Sequence, residues 1–134
     1  MVGADTATTK KGITYPADMI ATTPSGLQYV VVKEGVGARK PSEGTVVTAH
    51  YCGWLDAFES DFKFDSSRDR RKEFQFQVGV GEVIKGWDEA VLDMKKKEQR
   101  MIIVPSELGY GDAGANNVIP PKATLYFHIE LIKF

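Results

Sequence analysis

Cys52 stands two residues from His50 in the run TVVTAHYCGWL, and a thiol beside an imidazole is raw material for nucleophilic catalysis. The run alternates, however, so both side chains fall on one face of a strand, and i, i+2 neighbours on a strand seldom meet in reactive geometry. His128 is the only other histidine, and two histidines without a carboxylate at ligand spacing do not make a structural metal site. A second candidate is VGVGEVIKGW, Val78 to Trp87, where closely spaced glycines run into a helix as a phosphate loop does. The dinucleotide fingerprint needs a further glycine where this chain has Ile84. The other glycine loop needs Lys and then Ser or Thr after its last glycine, where Trp87 and Asp88 follow Gly86. Both templates fail, and an indole and branched aliphatics occupy the place of a nucleotide.

The elements that must position these residues are mostly short strands. Thr45 to Leu55 puts Val47, Ala49, Tyr51, Gly53 and Leu55 on one face and Val46, Thr48, His50, Cys52 and Trp54 on the other. Leu27 to Lys33, Phe62 to Asp65, Phe74 to Val78 and Gln99 to Val104 read as further strands. The last strand alternates Leu125, Phe127, Ile129 and Leu131 against Tyr126, His128, Glu130 and Ile132. One helix is predicted: Trp87, Ala90, Val91 and Met94 form a stripe, with Asp88 and Glu89 in the first turn and Lys95 to Lys97 following the end, both favourable to the macrodipole. So short a helix must lie against a sheet. Gly79 and Gly81 turn the chain toward it, and Gly86 makes room for Trp87. With no helical crossovers for a parallel sheet, the expected architecture is α+β, a curled antiparallel sheet of about five or six strands wrapped around one short helix.

At 134 residues and 43% apolar, the chain has enough for one packed core and too little for two. Residues 1–24, polar and ending in the turn signal TPSG, read as a loosely attached tail, and 25–134 as the domain. A net charge of −1 leaves no long-range field for nucleic acid or an anionic membrane, and the basic runs at 68–72 and 95–97 read as solvated turns. No apolar run approaches the roughly 18 residues of a transmembrane helix, and the polar start lacks the features of a signal peptide. Cys52, alone, makes no internal disulfide. A cytoplasmic, monomeric protein is expected.

Large rings come from nearly every element: Tyr51, Phe64, Phe74, Trp87, Tyr110 and Phe127. They fit a core or the wall of an apolar pocket, and the pattern alone leaves both open.

The runs FKFDSSRDRRKEFQFQVGVGEVIKGWDEAV and VPSELGYGDAGANNVIPPKATLYFHIELIKF closely resemble the FKBP-type peptidyl-prolyl isomerases, the tacrolimus- and rapamycin-binding immunophilins. FDSSRDR, EVIKGW, LGYG, and VIPP followed by ATLYF stand in that family's order and spacing. The resemblance covers nearly all of Leu27 to Phe134. It implies a cofactor-free, metal-free isomerase of X-Pro bonds that assists protein folding, taking proline-containing peptides, folding chains and those macrolides as partners. Trp87 would be the pocket floor, and Tyr51, Phe64, Phe74, Tyr110 and Phe127 its walls. The Ile84 amide and Tyr110 hydroxyl would donate to ligand carbonyls, with Asp65 a polar group near Arg70 and Tyr51. Glu82, Val83 and Ile119 complete the implied binding set. Tyr51, Phe64, Asp65, Trp87, Tyr110 and Phe127 are the implied catalytic residues. Two departures, a longer loop at 56–62 and Ala115-Asn116-Asn117 at a loop tip, bear on partner choice. The alternative function is a macrolide- or partner-binding module without catalysis.

Overall fold

The computed structural model describes residues 12–115 and 118–134, so Asn116 and Asn117 lie outside the described residues. Alternating runs become strands as expected: β1 (Ala21–Thr22), β2 (Gln28–Lys33), β3 (Val46–Trp54), β4 (Lys63–Ser66) and β5 (Phe74–Gln77), then helix α1 (Lys85–Leu92), β6 (Gln99–Val104) and β7 (Leu125–Lys133). All pair antiparallel in one seven-stranded sheet ordered β1-β2-β6-β7-β3-β4. β5 shares an edge of β3 with β4.

The period-2 pattern of β3 and β7 sorts their side chains sharply. Val47, Ala49, Ile129 and Leu131 are fully buried against Trp87, Ala90, Val91 and Met94, so α1 fills the concave face. Gly86 does more than make room for Trp87: a Cβ there would stand 2.7 Å from Val104 Cγ1, so the helix sits directly on β6. The three lysines follow the helix end, beyond the C-cap residue Asp93, as expected. Two other cations meet at that helix end: Arg100 Nη2 donates to the Asp93 carbonyl at 3.1 Å and to Asp93 Oδ2 at 2.8 Å, and Lys40 Nζ donates to Asp93 Oδ1 at 2.7 Å.

The described part of the expected tail departs from the reading of a loose segment. Ile13 donates its amide to the Phe58 carbonyl at 2.7 Å, Ala21 and Thr22 pair with Tyr29 and Gln28, and Tyr15 and Ile20 pack beside Trp54, Phe58, Val30 and Met101. A few apolar residues in a polar stretch suffice because the loop after Leu55 folds over the convex face and buries Trp54 and Phe58 together. The seventh strand, beyond the expected five or six, is two-residue β1. Between this cover and the sheet lies a cavity of about 260 Å³, lined by Tyr15, Phe58, Met101 and Tyr126 among others.

Candidate active site

On the concave side a second cavity of about 240 Å³ opens at one end of α1. β3 supplies Tyr51, β4 Phe64 and Asp65, β5 Phe74, and β7 Phe127. The turn before α1 supplies Glu82, Val83 and Ile84, the helix Trp87, and the loop after β6 Tyr110. Ten of the twelve residues implied by the resemblance therefore line one space. Arg70 stands at the rim instead, its guanidinium 5.6 Å from the centre of the Tyr51 ring. Ile119 belongs to the core at 6% exposure, and its carbonyl accepts the Ala115 amide at 3.0 Å, so it closes the loop tip rather than lining the cavity.

Trp87 is only 4% exposed, yet it borders the cavity, as a floor must. Four rings surround it: Tyr51, Phe127 and Phe74 edge-on with centroids at 4.7, 5.3 and 6.0 Å, and Phe76 tilted at 6.0 Å. Such pairs favour edge-to-face contact and fix the indole plane. Among the described residues nothing accepts from its buried Nε1, and the ring faces offer only a weak N–H···π alternative.

One residue that sequence reasoning placed on the inward face without giving it a role is Gly53. In register it sits opposite Phe127 on one side and Asp65 on the other. A Cβ there would meet Phe64 Cζ at 2.7 Å and Phe127 Cε1 at 2.8 Å. The two rings meet edge to face, centroids 5.6 Å apart, over the space that the missing side chain leaves. The available signal was a glycine inside an otherwise well-formed strand, which marks a close approach.

The polar wall is a closed set. Tyr51 Oη donates to Asp65 Oδ2 at 2.6 Å, Arg70 Nη2 donates to Tyr51 Oη at 2.7 Å, and Arg70 Nη1 pairs with Asp65 Oδ1. Burial pushes the Asp65 carboxyl up, but hydrogen bonds from Tyr51 and Arg70 and the guanidinium charge outweigh it and hold the group below its usual range. Burial, and then the bond to Asp65, raise the Tyr51 hydroxyl, while burial and the Asp65 charge raise Tyr110. Tyr110, 42% exposed, has no hydrogen-bond partner among the described residues, and none of them accepts from the Ile84 amide. At neutral pH the cavity thus presents two uncommitted donors and a carboxylate already engaged.

With its folded pKa depressed, Asp65 contributes stability that is present above its unfolded value, near pH 4, and lost as pH falls through the folded value. Thermal melts of the wild type and Asp65→Asn should differ at about pH 6, with the gap narrowing toward about pH 3. Asp93, also depressed, titrates in both chains and cancels. A gap unchanged between the two pH values contradicts the assignment.

The groups first considered for catalysis lie elsewhere. His50 Nδ1 pairs with Ser67 Oγ at 2.8 Å, Cys52 Sγ with Ser66 Oγ at 3.1 Å, and His128 Nε2 with Gln99 Oε1 at 2.9 Å. No cluster of three metal-binding side chains occurs among the described residues. Cavity size does not choose between the two faces. What separates them is chemistry, since the uncommitted Ile84 amide and the engaged carboxylate of Asp65 face only the inner one.

The fold and site are those of a curled antiparallel sheet around one helix, with an aromatic cavity bordered by Trp87. The family model of FKBP-type peptidyl-prolyl cis-trans isomerases matches residues 37–132. An FK506-binding protein of Neisseria meningitidis serogroup B is 49% identical over 108 residues, covering 81% of this chain and 95% of that protein. Peptidyl-prolyl cis-trans isomerase Fkbp12 of Drosophila melanogaster is 45% identical over 108 residues, covering 81% and 97%. The crystal structure of AtFKBP13 superposes with a TM-score of 0.76 at 38% identity, covering 86% of this chain and 98% of the other. The chain belongs to the FKBP-type peptidyl-prolyl cis-trans isomerases. It is a rotamase, acting on the peptide bond that precedes proline.

Proposed function

We propose that the cavity floored by Trp87 is where the X-Pro bond rotates, with a proline ring resting on the indole and the Ile84 amide and Tyr110 hydroxyl holding the flanking carbonyls. The observation that carries this reading is the meeting of two uncommitted donors with an apolar floor in one cavity.

Rotation about a peptide bond meets a barrier of about 18–20 kcal/mol because resonance is lost in the twisted state. For X-Pro the two planar isomers differ by only about 0.5–1 kcal/mol, yet exchange takes tens of seconds. No proton must move. A catalyst has only to bind the twisted state better than either planar one. Planar resonance separates charge onto oxygen and nitrogen, which water stabilises, so transfer into an apolar pocket penalises the planar states most. The donors then favour the twisted geometry in a site where no water must reorganise. Phe64 and Phe127 confine the ring, and Tyr51 and Asp65, locked by Arg70, give the polar wall a fixed shape.

The same cavity takes tacrolimus and rapamycin in competition with peptide, and its substrates are proline-containing peptides and folding chains. The relatives named for FK506 binding support the first. The proposed working state is a monomer in the cytoplasm. The loop at 56–62 packs Phe58 on the opposite face of the sheet, away from this cavity.

Tacrolimus titrated into a Trp54→Phe chain should change the emission of Trp87 and saturate at one equivalent. Unchanged emission at saturating drug would remove Trp87 from the floor.

A further inference from the structure

Asp88 follows Trp87 in α1, and its carboxylate turns away from the helix. Oδ1 accepts the Gly79 amide at 2.8 Å and Oδ2 the Gly81 amide at 3.0 Å. Both glycines hold φ at +83°, a left-handed backbone that only glycine adopts cheaply. Their amides therefore point inward, toward one carboxylate. From here the turn runs through Glu82 and Val83 to Ile84, which form one side of the cavity. The N-cap of α1 is Ile84, which has no side-chain oxygen and makes no side-chain cap. The acid expected to complement the helix dipole is thus committed to the preceding turn. The other side-chain bond at this turn, from the Gln77 amide to Glu82 Oε1 at 2.9 Å, joins the turn to its own strand, while the Ile84 carbonyl accepts the Trp87 and Asp88 amides at 3.0 and 3.2 Å, so Asp88 adds a hold on the glycine end of the turn to the backbone hold at Ile84.

We propose that Asp88 is a positioning residue of the isomerase site: its carboxylate sets the turn carrying Val83 and the Ile84 amide in register with the helix carrying Trp87. The inference rests on the reading of this cavity as the isomerase site. A donor and a floor on different elements act together only at fixed separation, and a displacement of about 1 Å can cost about a hundredfold in rate. Two acceptors are needed. Asparagine offers one oxygen and turns a donor toward the second amide, whereas glutamate keeps both acceptors.

The test compares Asp88→Ala, Asp88→Asn and Asp88→Glu with Asp93→Ala, which removes a carboxylate tied to Lys40 and Arg100 just beyond the same helix. Amide exchange by NMR should be about tenfold or more faster at Gly79 and Gly81 in Asp88→Ala, with the Leu131 amide unchanged. Its kcat/KM should fall about tenfold, Asp88→Asn should fall with it, and Asp88→Glu should recover much of the loss. Asp93→Ala, although destabilised, should keep wild-type kcat/KM where it is folded. Wild-type exchange at both glycines in Asp88→Ala overturns the proposal, as does faster exchange with unchanged kcat/KM, or an equal loss of activity in Asp93→Ala. A wild-type chain without isomerase activity overturns the reading beneath it. An active wild type matched by Asp88→Ala overturns the role of Asp88 alone.

Discussion

Trp87→Leu should leave a folded sheet and lose most of the isomerase activity. The indole is 4% exposed and touches four rings. Truncating a buried tryptophan to alanine costs about 3–5 kcal/mol, and leucine refills part of the space. The unpartnered Nε1–H disappears with the indole, and an unsatisfied buried donor is itself worth about 1–3 kcal/mol. A net loss of about 2 kcal/mol is expected, within the roughly 5–15 kcal/mol that a domain of this size has available. kcat/KM for a proline peptide should fall by at least about tenfold, or about 1.4 kcal/mol of transition-state binding. Urea denaturation and the peptide assay check the two together. A variant that loses stability but keeps kcat/KM would make Trp87 a core residue only.

Gly53→Ala adds a single methyl group and should act on the same site from beneath. The added carbon would stand within 3.0 Å of both the Phe64 and Phe127 rings, so at least one must move. Overpacking of this kind costs about 1–3 kcal/mol. Since both rings are walls of the cavity, kcat/KM should drop by about tenfold as well. Wild-type kinetics in this variant would show that the edge-to-face placement of Phe64 on Phe127 has no part in the reaction.

The strands and helix were legible because burial enforces their periods. Every second residue of β7 faces the core, and the stripe from Trp87 to Met94 lies on the sheet. The failed nucleotide templates were informative for the same physical reason: Ile84 and Trp87 stand where a phosphate would need small residues and amides, and they line an apolar cavity instead. Residues 13–22 were not legible, since Tyr15 and Ile20 are isolated apolar residues whose cover, Trp54 and Phe58, is built only when the loop after Leu55 folds back, and Ile13 is held there by a backbone bridge to Phe58. β1 is too short to carry any period. Ile119 matched the family pattern by position, but the turn that closes on Ala115 draws it into the core. Gly53 and Asp88 were visible as residues but not as roles, because each acts through what it touches: two rings in one case, two loop amides in the other.

The most direct measurement is a proline-peptide isomerisation assay on the purified chain, run with and without a saturating macrolide. The account predicts acceleration proportional to enzyme and abolished by one equivalent of tacrolimus. No acceleration, or acceleration that tacrolimus leaves untouched, would contradict the assignment of catalysis to the cavity over Trp87.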